Sequence, residues 1–522
     1  MACRLYEHAC ARGPRGYYGR DLAAGPSRTR DVPPESDDPG LPIKFGPCSN
    51  GEYVPAPLTA VEREAIRRAH RDCEDNAKRV GVTRATFLRS VCGAATTLLA
   101  IQGCAGEAAR RALGGAWDVP SEAALDEQAA RAVLAGNEFV FDVQGHFLEY
   151  DLMRRSGPAP FFGSVFPQVN CGADDPRACF SREVLLEDFF LRSDTSMVTI
   201  SALPIAPKGS PLSEAIMDDA RHTAELVTGW KPVLLHAQVL PNYGRLQENL
   251  DLMEENARQY PIAAWKVFTH FPDAFGDPGN AWRLDDADPR LPKVGHAFIE
   301  QARRLGIKII CAHKGFGAGS PYASPDDVPR AAKAFPDVSF IVYHSGFERV
   351  GRREGPYTPA TANVGINRLI TAMKRAGTGP NENVYAELGS TWWTIMRDPD
   401  QAAHVLGKLL KHVGEDNVLW GTDCIFYGSP QDQIQAFRAF RISSEYQERF
   451  GYPALTPLRK AKILGLNGAR VYGVEPKKRR YHFSRRDLEE LRKSLPFKHE
   501  TYGPRNRREV ERLRAHHRGW PG

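Results

Sequence analysis

A chain of 522 residues is long for one domain and short for three. Hydrophobic content of 42% and charged content of 25% are those of a packed globular protein and exclude a disordered or fibrous chain. The net charge of +6 is concentrated at one end: residues 476–522 hold 15 Lys+Arg against 6 Asp+Glu, which leaves −3 on the rest and gives the main body no basic nucleic-acid surface.

Residues 1–56 are rich in Gly, Pro, Arg and Asp and read as mostly irregular. A charged, helix-prone stretch runs from Leu58 to Val80, and residues 1–82 together form an N-terminal extension. The segment 83–105 has a basic start, an apolar run from Ser90 to Ile101 and a small-residue finish at Gln-Gly-Cys104-Ala-Gly. This is the layout of an export signal, and the apolar run is shorter than the roughly 20 residues that span a bilayer. Thr83-Arg-Ala-Thr-Phe-Leu-Arg89 resembles a twin-arginine signal, with Ala85 in place of the second Arg, and the end resembles a lipoprotein box. The expectation is an exported or membrane-anchored protein, with membrane association through this segment. The alternative is an amphipathic helix packed on the main domain.

From residue 137 to 475 the pattern is regular. Eight apolar runs stand out: Phe139–Val143, Val198–Leu203, Val233–His236, Ala264–Phe268, Ile307–Ala312, Ser339–Tyr343, Val384–Glu387 and Val418–Gly421. Helical periodicity separates them, as in Leu246–Tyr260, Phe298–Gly306, Ile366–Ala376 and Ala402–Val413. Apolar strands alternating with helices predict an α/β fold, a (β/α)8 TIM barrel. The long connection after the first strand, Phe147–Ser196, predicts a lid or pocket wall. It holds Cys171 and Cys179, either a disulfide or two thiols. Residues 476–522 form a basic C-terminal tail, read as a solvated helix and arm.

Four strands end on side chains that bind metals: His146 after strand one, His313 after strand five, His344 after strand six and Asp423 after strand eight. Polar tips on apolar strands meet at one barrel mouth, where such folds keep their active sites. Alternation along strand one turns Asp142, Gln144 and His146 the same way. Two imidazoles and a carboxylate suit a divalent transition metal with open positions. Lys266, His236, Glu387 and Trp392 are candidates to contact substrate, and Trp393 stands beside them.

This set resembles the amidohydrolase superfamily, in the branch of aminocarboxymuconate-semialdehyde decarboxylase and the hydroxybenzoate decarboxylases. The resemblance covers about residues 139–474 and rests on Asp142-Val-Gln144-Gly-His146, Ala-His313-Lys-Gly-Phe, Tyr-His344-Ser-Gly and Trp-Gly-Thr-Asp423. It implies one divalent metal, Zn with Mn or Fe as alternatives, held by Gln144, His146, His313 and Asp423, and it makes His344 and Asp423 the catalytic pair. Gln144 departs from the usual histidine. The expected function is hydrolysis of a small organic substrate by metal-activated water. Non-oxidative decarboxylation on the same site is the alternative, and a barrel without metal is the third. The expected partners are a small-molecule substrate and a second copy in a homodimer, with no nucleic acid on the barrel.

Overall fold

The structure, a computed structural model, describes residues 40–45, 50, 53, 57–109, 113–149, 179–204, 210–270, 281–316, 320–348, 353–483 and 486–487. Eight parallel strands follow one another in sequence order: β1 Phe141–Gly145, β2 Met197–Ser201, β3 Val233–Val239, β4 Ile262–Phe268, β5 Ile309–His313, β6 Ser339–Tyr343, β7 Val384–Glu387 and β8 Val418–Leu419. Backbone bonds between β1 and the chain around β8 bring the two ends together: Val143 N to Trp420 O at 2.9 Å, Asp423 N to Gln144 O at 2.9 Å and His146 N to Cys424 O at 2.7 Å. The (β/α)8 barrel expected from the sequence is present, with two strands, Ser339–Tyr343 and Val384–Glu387, as expected and the ends of the others moved by up to three residues.

The strands are apolar on both faces because both are covered. Inward residues Phe141, Val143, Met197, Ala264, Cys311, Ile341, Tyr343 and Leu419 fill the lumen. Helix Asn467–Tyr472 closes one end, with Tyr472 against Phe141 and Cys311. The outer faces pack on the helices. Helix Pro399–His412 starts as its sequence dictates: the Asp398 side chain accepts from Gln401 N, and Pro399 occupies the first turn, where no N–H partner is needed.

The described helices before the barrel are packed together. Helix Ala60–Arg79 opens with a capping box between Thr59 and Glu62. It packs against helix Val91–Ala109, through Asn76 Nδ2 donating to Thr96 Oγ1 at 3.2 Å and Arg68 paired with Glu107 at 2.9 Å. Leu98 and Ala95 of that second helix are fully buried, and Gln102 Oε1 accepts from Trp117 N at 3.1 Å. The segment resembling an export signal is thus helical and sits in the core. No helix among the described residues is long and apolar enough to cross a membrane.

The start of the tail also docks: Tyr481 OH donates to Ser196 O at 2.5 Å, just before β2. Most of the tail, residues 488–522, lies outside the described residues, as do Cys171 and most of the expected lid. Cys179 is disulfide-bonded.

Candidate active site

Non-glycine residues seldom take positive φ, and where they do, strain clusters at working sites. His344 (φ 58°), Ser345 (53°), Ser390 (53°) and Asp423 (62°) all do so, just past the ends of β6, β7 and β8. The polar strand tips therefore share one mouth and one unusual backbone.

Gln144, His146 and Asp423 meet there. His146 Nε2 lies 3.0 Å from Asp423 Oδ1, and Gln144 Nε2 donates to the same oxygen at 2.9 Å. His146 Nδ1 faces the Ser201 carbonyl at 2.6 Å, so it must carry the ring proton. That leaves a lone pair on Nε2 against a carboxylate oxygen, a contact that is favourable only with a proton or a metal ion between them. Burial by itself would raise the Asp423 carboxyl. With a proton on Nε2, the hydrogen bond and charge of His146, with His344 and Ser390, outweigh burial and hold it well below the usual carboxylate range.

His313 and His344 form the second pair, Nε2 to Nε2 at 3.2 Å. His344 Nδ1 faces the Gly389 carbonyl at 2.8 Å, which again leaves its Nε2 as a lone pair. Burial, then the Lys266 charge, pushes His313 well below its usual range and keeps it neutral. Glu387 supports this corner. It accepts from His344 N at 3.0 Å and from Gly389 N, and burial raises its carboxyl to about 8. Asp423 and Glu387 are therefore pushed apart in proton affinity, as in sites where one acid is ionised and another neutral.

Asp142 does not join Gln144 and His146. A register shift lies between Asp142 and Gly145, and the Asp142 carboxylate turns to β8, accepting from Thr422 N at 3.1 Å and from Thr422 Oγ1 at 2.5 Å. Strict alternation missed this bulge.

The other expected contacts divide. Lys266 is buried beside the site, its ammonium 3.2 Å from the centre of the Tyr343 ring. His236 is not a mouth residue: its two nitrogens meet Tyr343 OH at 2.8 Å and Tyr472 OH at 2.9 Å inside the lumen. Glu387 positions His344 rather than facing outward. Trp392 points away, packed on Phe437 and Phe440, with its indole N–H donating to Gln433 O at 3.0 Å. Trp393 is the tryptophan nearer the mouth, stacked on Tyr427 at 4.6 Å.

Four contributors escaped the sequence reading. Ser390 Oγ donates to Asp423 Oδ2 at 2.5 Å and meets Tyr427 OH at 2.6 Å. Asn50 Nδ2 donates to the same Oδ2 at 2.7 Å. His270, two residues past β4, is buried with its ring 5.1 Å from that of His313. Their nearness to the ends of β4, β7 and β8 was the available signal for His270, Ser390 and Tyr427. Asn50 had none, because it lies in a stretch without periodicity.

The donor chemistry suits a divalent ion. His146 turns Nε2 to the Asp423 carboxylate, and Gln144 Oε1 is a buried acceptor with no hydrogen-bond partner among the described residues. Among the described residues, no three His, Cys, Asp or Glu side chains are gathered closely enough to hold an ion.

The amidohydrolase family profile (Amidohydro_2: Amidohydrolase) matches residues 237–474. A comparison with curated proteins finds no match. Among solved structures, 4-oxalomesaconate hydratase from Rhodopseudomonas palustris is 16% identical with a TM-score of 0.41, covering 68% of this chain and 99% of that one. 2,6-Dihydroxybenzoate decarboxylase with its substrate bound is 14% identical, with a TM-score of 0.37 and coverage of 65% and 100%. An uncharacterized TIM-barrel protein from Bordetella bronchiseptica is 13% identical, with a TM-score of 0.40 and coverage of 64% and 98%. These structural likenesses are too distant to speak to substrate. The family match spans β3 to the closing helix, less than half of the chain, and over that stretch the chain is similar to the amidohydrolase family, whose members are generally metal-dependent.

Proposed function

We propose that this chain is a metal-dependent hydrolase of a small organic substrate, attacked at a carbonyl, lactone or amide carbon. The observation that carries the reading is the 3.0 Å approach of His146 Nε2 to Asp423 Oδ1, a contact that needs a proton or a metal ion between the two atoms. Gln144, His146, His313 and Asp423 would hold the ion. When bound, it supplies a polarised substrate oxygen and a water acidified toward neutral pH.

The chain's own groups do the rest. Asp423 accepts the proton of the attacking water. His344, with Nδ1–H tied to Gly389 O, keeps Nε2 free of a proton, so that it takes up the proton Asp423 has accepted and passes it to the leaving group. The His344 ring is fixed by a backbone turn that Glu387 holds, so it needs no reorganisation during the reaction. Lys266 and the Tyr343 ring present a positive, partly aromatic wall suited to an anionic substrate group.

Lys266 also favours a second reading, decarboxylation of a small aromatic or enoic acid, since a buried ammonium would hold the departing carboxylate. The purified, zinc-loaded protein should be assayed on panels of lactones, amides and esters and, separately, for CO2 release from hydroxyaromatic and enoic acids. Turnover in the first panel, abolished by Asp423→Asn, supports hydrolysis. CO2 release alone supports the second reading. Failure in both panels would sink both.

A further inference from the structure

We infer that the described part of the N-terminal arm, residues 40–45, 50 and 53, is part of the active site and that Asn50 is a positioning residue for Asp423. This inference rests on the metal reading proposed above and extends it to a part of the chain outside the barrel.

Both carboxylate oxygens of Asp423 are engaged, and they are engaged differently. Oδ1 faces the strand-one residues His146 and Gln144. Oδ2 accepts from Asn50 Nδ2 at 2.7 Å and from Ser390 Oγ at 2.5 Å. Two donors on Oδ2 fix the rotation of the carboxylate and leave Oδ1 as the oxygen offered to the mouth. Hydrogen bonds to the ionised form also help to keep the group charged within a buried site. Asn50 is itself 6% exposed, so its side chain is turned into the site and away from solvent.

The arm is anchored on each side of Asn50. Ile43 and Phe45 are buried in the core. Lys44 Nζ donates to Tyr427 O at 2.6 Å and Ser429 O at 2.8 Å, and pairs with Asp432 at 3.4 Å. Arg397 donates to Lys44 O at 3.1 Å. Beyond Asn50, the Tyr53 ring lies 5.0 Å from that of Phe316, and its hydroxyl is 3.0 Å from Tyr427 OH. Tyr427 meets Ser390, so Tyr53, Tyr427, Ser390 and Asp423 are joined hydroxyl to hydroxyl to carboxylate. The arm thus touches the loops after β5 and β8 and reaches the one carboxylate common to the metal and catalytic assignments. Packing alone would need apolar contacts here; an amide aimed at a buried carboxylate is a specific electrostatic contact.

The test uses the full-length protein and zinc alone. Asn50→Leu removes the donor while keeping the branched shape, and Asn50→Ala removes it with a smaller side chain. Thermal unfolding of the metal-free forms reports folding, and competition titration with a chromophoric chelator reports zinc affinity. Unmodified protein should bind about one zinc, and either folded variant should bind it 10–100-fold more weakly, the usual loss when a group behind a metal ligand is removed. Wild-type zinc affinity in a folded Asn50 variant would overturn the inference while leaving the metal reading intact. Absence of zinc uptake by the unmodified protein would overturn the metal reading, and this one with it.

Discussion

The backbone N–H of His344 donates to Glu387 Oε2 at 3.0 Å, so a buried carboxyl group at the tip of β7 holds the left-handed turn that carries the candidate catalytic histidine. Burial lifts that carboxyl from an ordinary value near 4.5 to about 8. The folded protein therefore keeps a proton that the unfolded chain gives up. The contribution to stability is full below pH 4.5 and is lost as pH rises through 8. In the metal-free protein, denaturant stability should decline across that window, with a limiting slope of about 1.4 kcal/mol per pH unit. Glu387→Gln, which mimics the protonated acid, should flatten the decline. An unchanged slope would show that Glu387 is ionised in the fold.

Glycine is required at two places around the same carboxyl. A Cβ on Gly421 would lie 1.7 Å from Glu387 Oε1, and one on Gly389 would lie 2.1 Å from Gln144 Oε1. Gly421→Ala and Gly389→Ala should each cost about 1–3 kcal/mol by overpacking, read by urea unfolding. Each should also weaken zinc uptake, because the displaced side chains belong to the site. A neutral effect on both measures would mean that the carboxyl and amide have room to move.

His236 should behave as a structural residue. Its ring stacks on Tyr472, and both nitrogens are bonded to tyrosine hydroxyls within the lumen. His236→Ala leaves a cavity and two buried hydroxyl groups short of a partner, at a cost of about 2–5 kcal/mol. Zinc stoichiometry of the folded fraction should stay unchanged. Loss of metal without loss of stability would return His236 to the site.

Much of this was legible in the sequence for a physical reason. Buried parallel strands need continuous apolar runs, and a polar residue such as His313 or Asp423 at the end of one is conspicuous. The same logic failed wherever the chain leaves strict periodicity. The bulge between Asp142 and Gly145 sent one acid to β8 and two other side chains to the mouth. Trp392 and Trp393 are adjacent in sequence, yet only the helical turn Thr391–Ile395 decides which of them meets Tyr427. Asn50 reaches Asp423 across 373 positions of sequence, and no local pattern announces such a contact.

The apolar segment before the barrel offers another check. Leu98 is fully buried in helix Val91–Ala109, which packs on helix Ala60–Arg79. Leu98→Ala should destabilise the full-length protein by about 2–5 kcal/mol, as a core truncation does. A change under about 0.5 kcal/mol, the range of surface substitutions, would show that this helix is peripheral to the fold.

The most direct test is elemental analysis of the full-length protein purified without chelator, alongside His146→Ala and Asp423→Asn. About one divalent transition metal per chain in the unmodified protein, lost from both folded variants, is the expected result. A metal-free wild type that stays so after zinc addition, or full occupancy in either variant, would contradict the assignment of His146 and Asp423 as ligands.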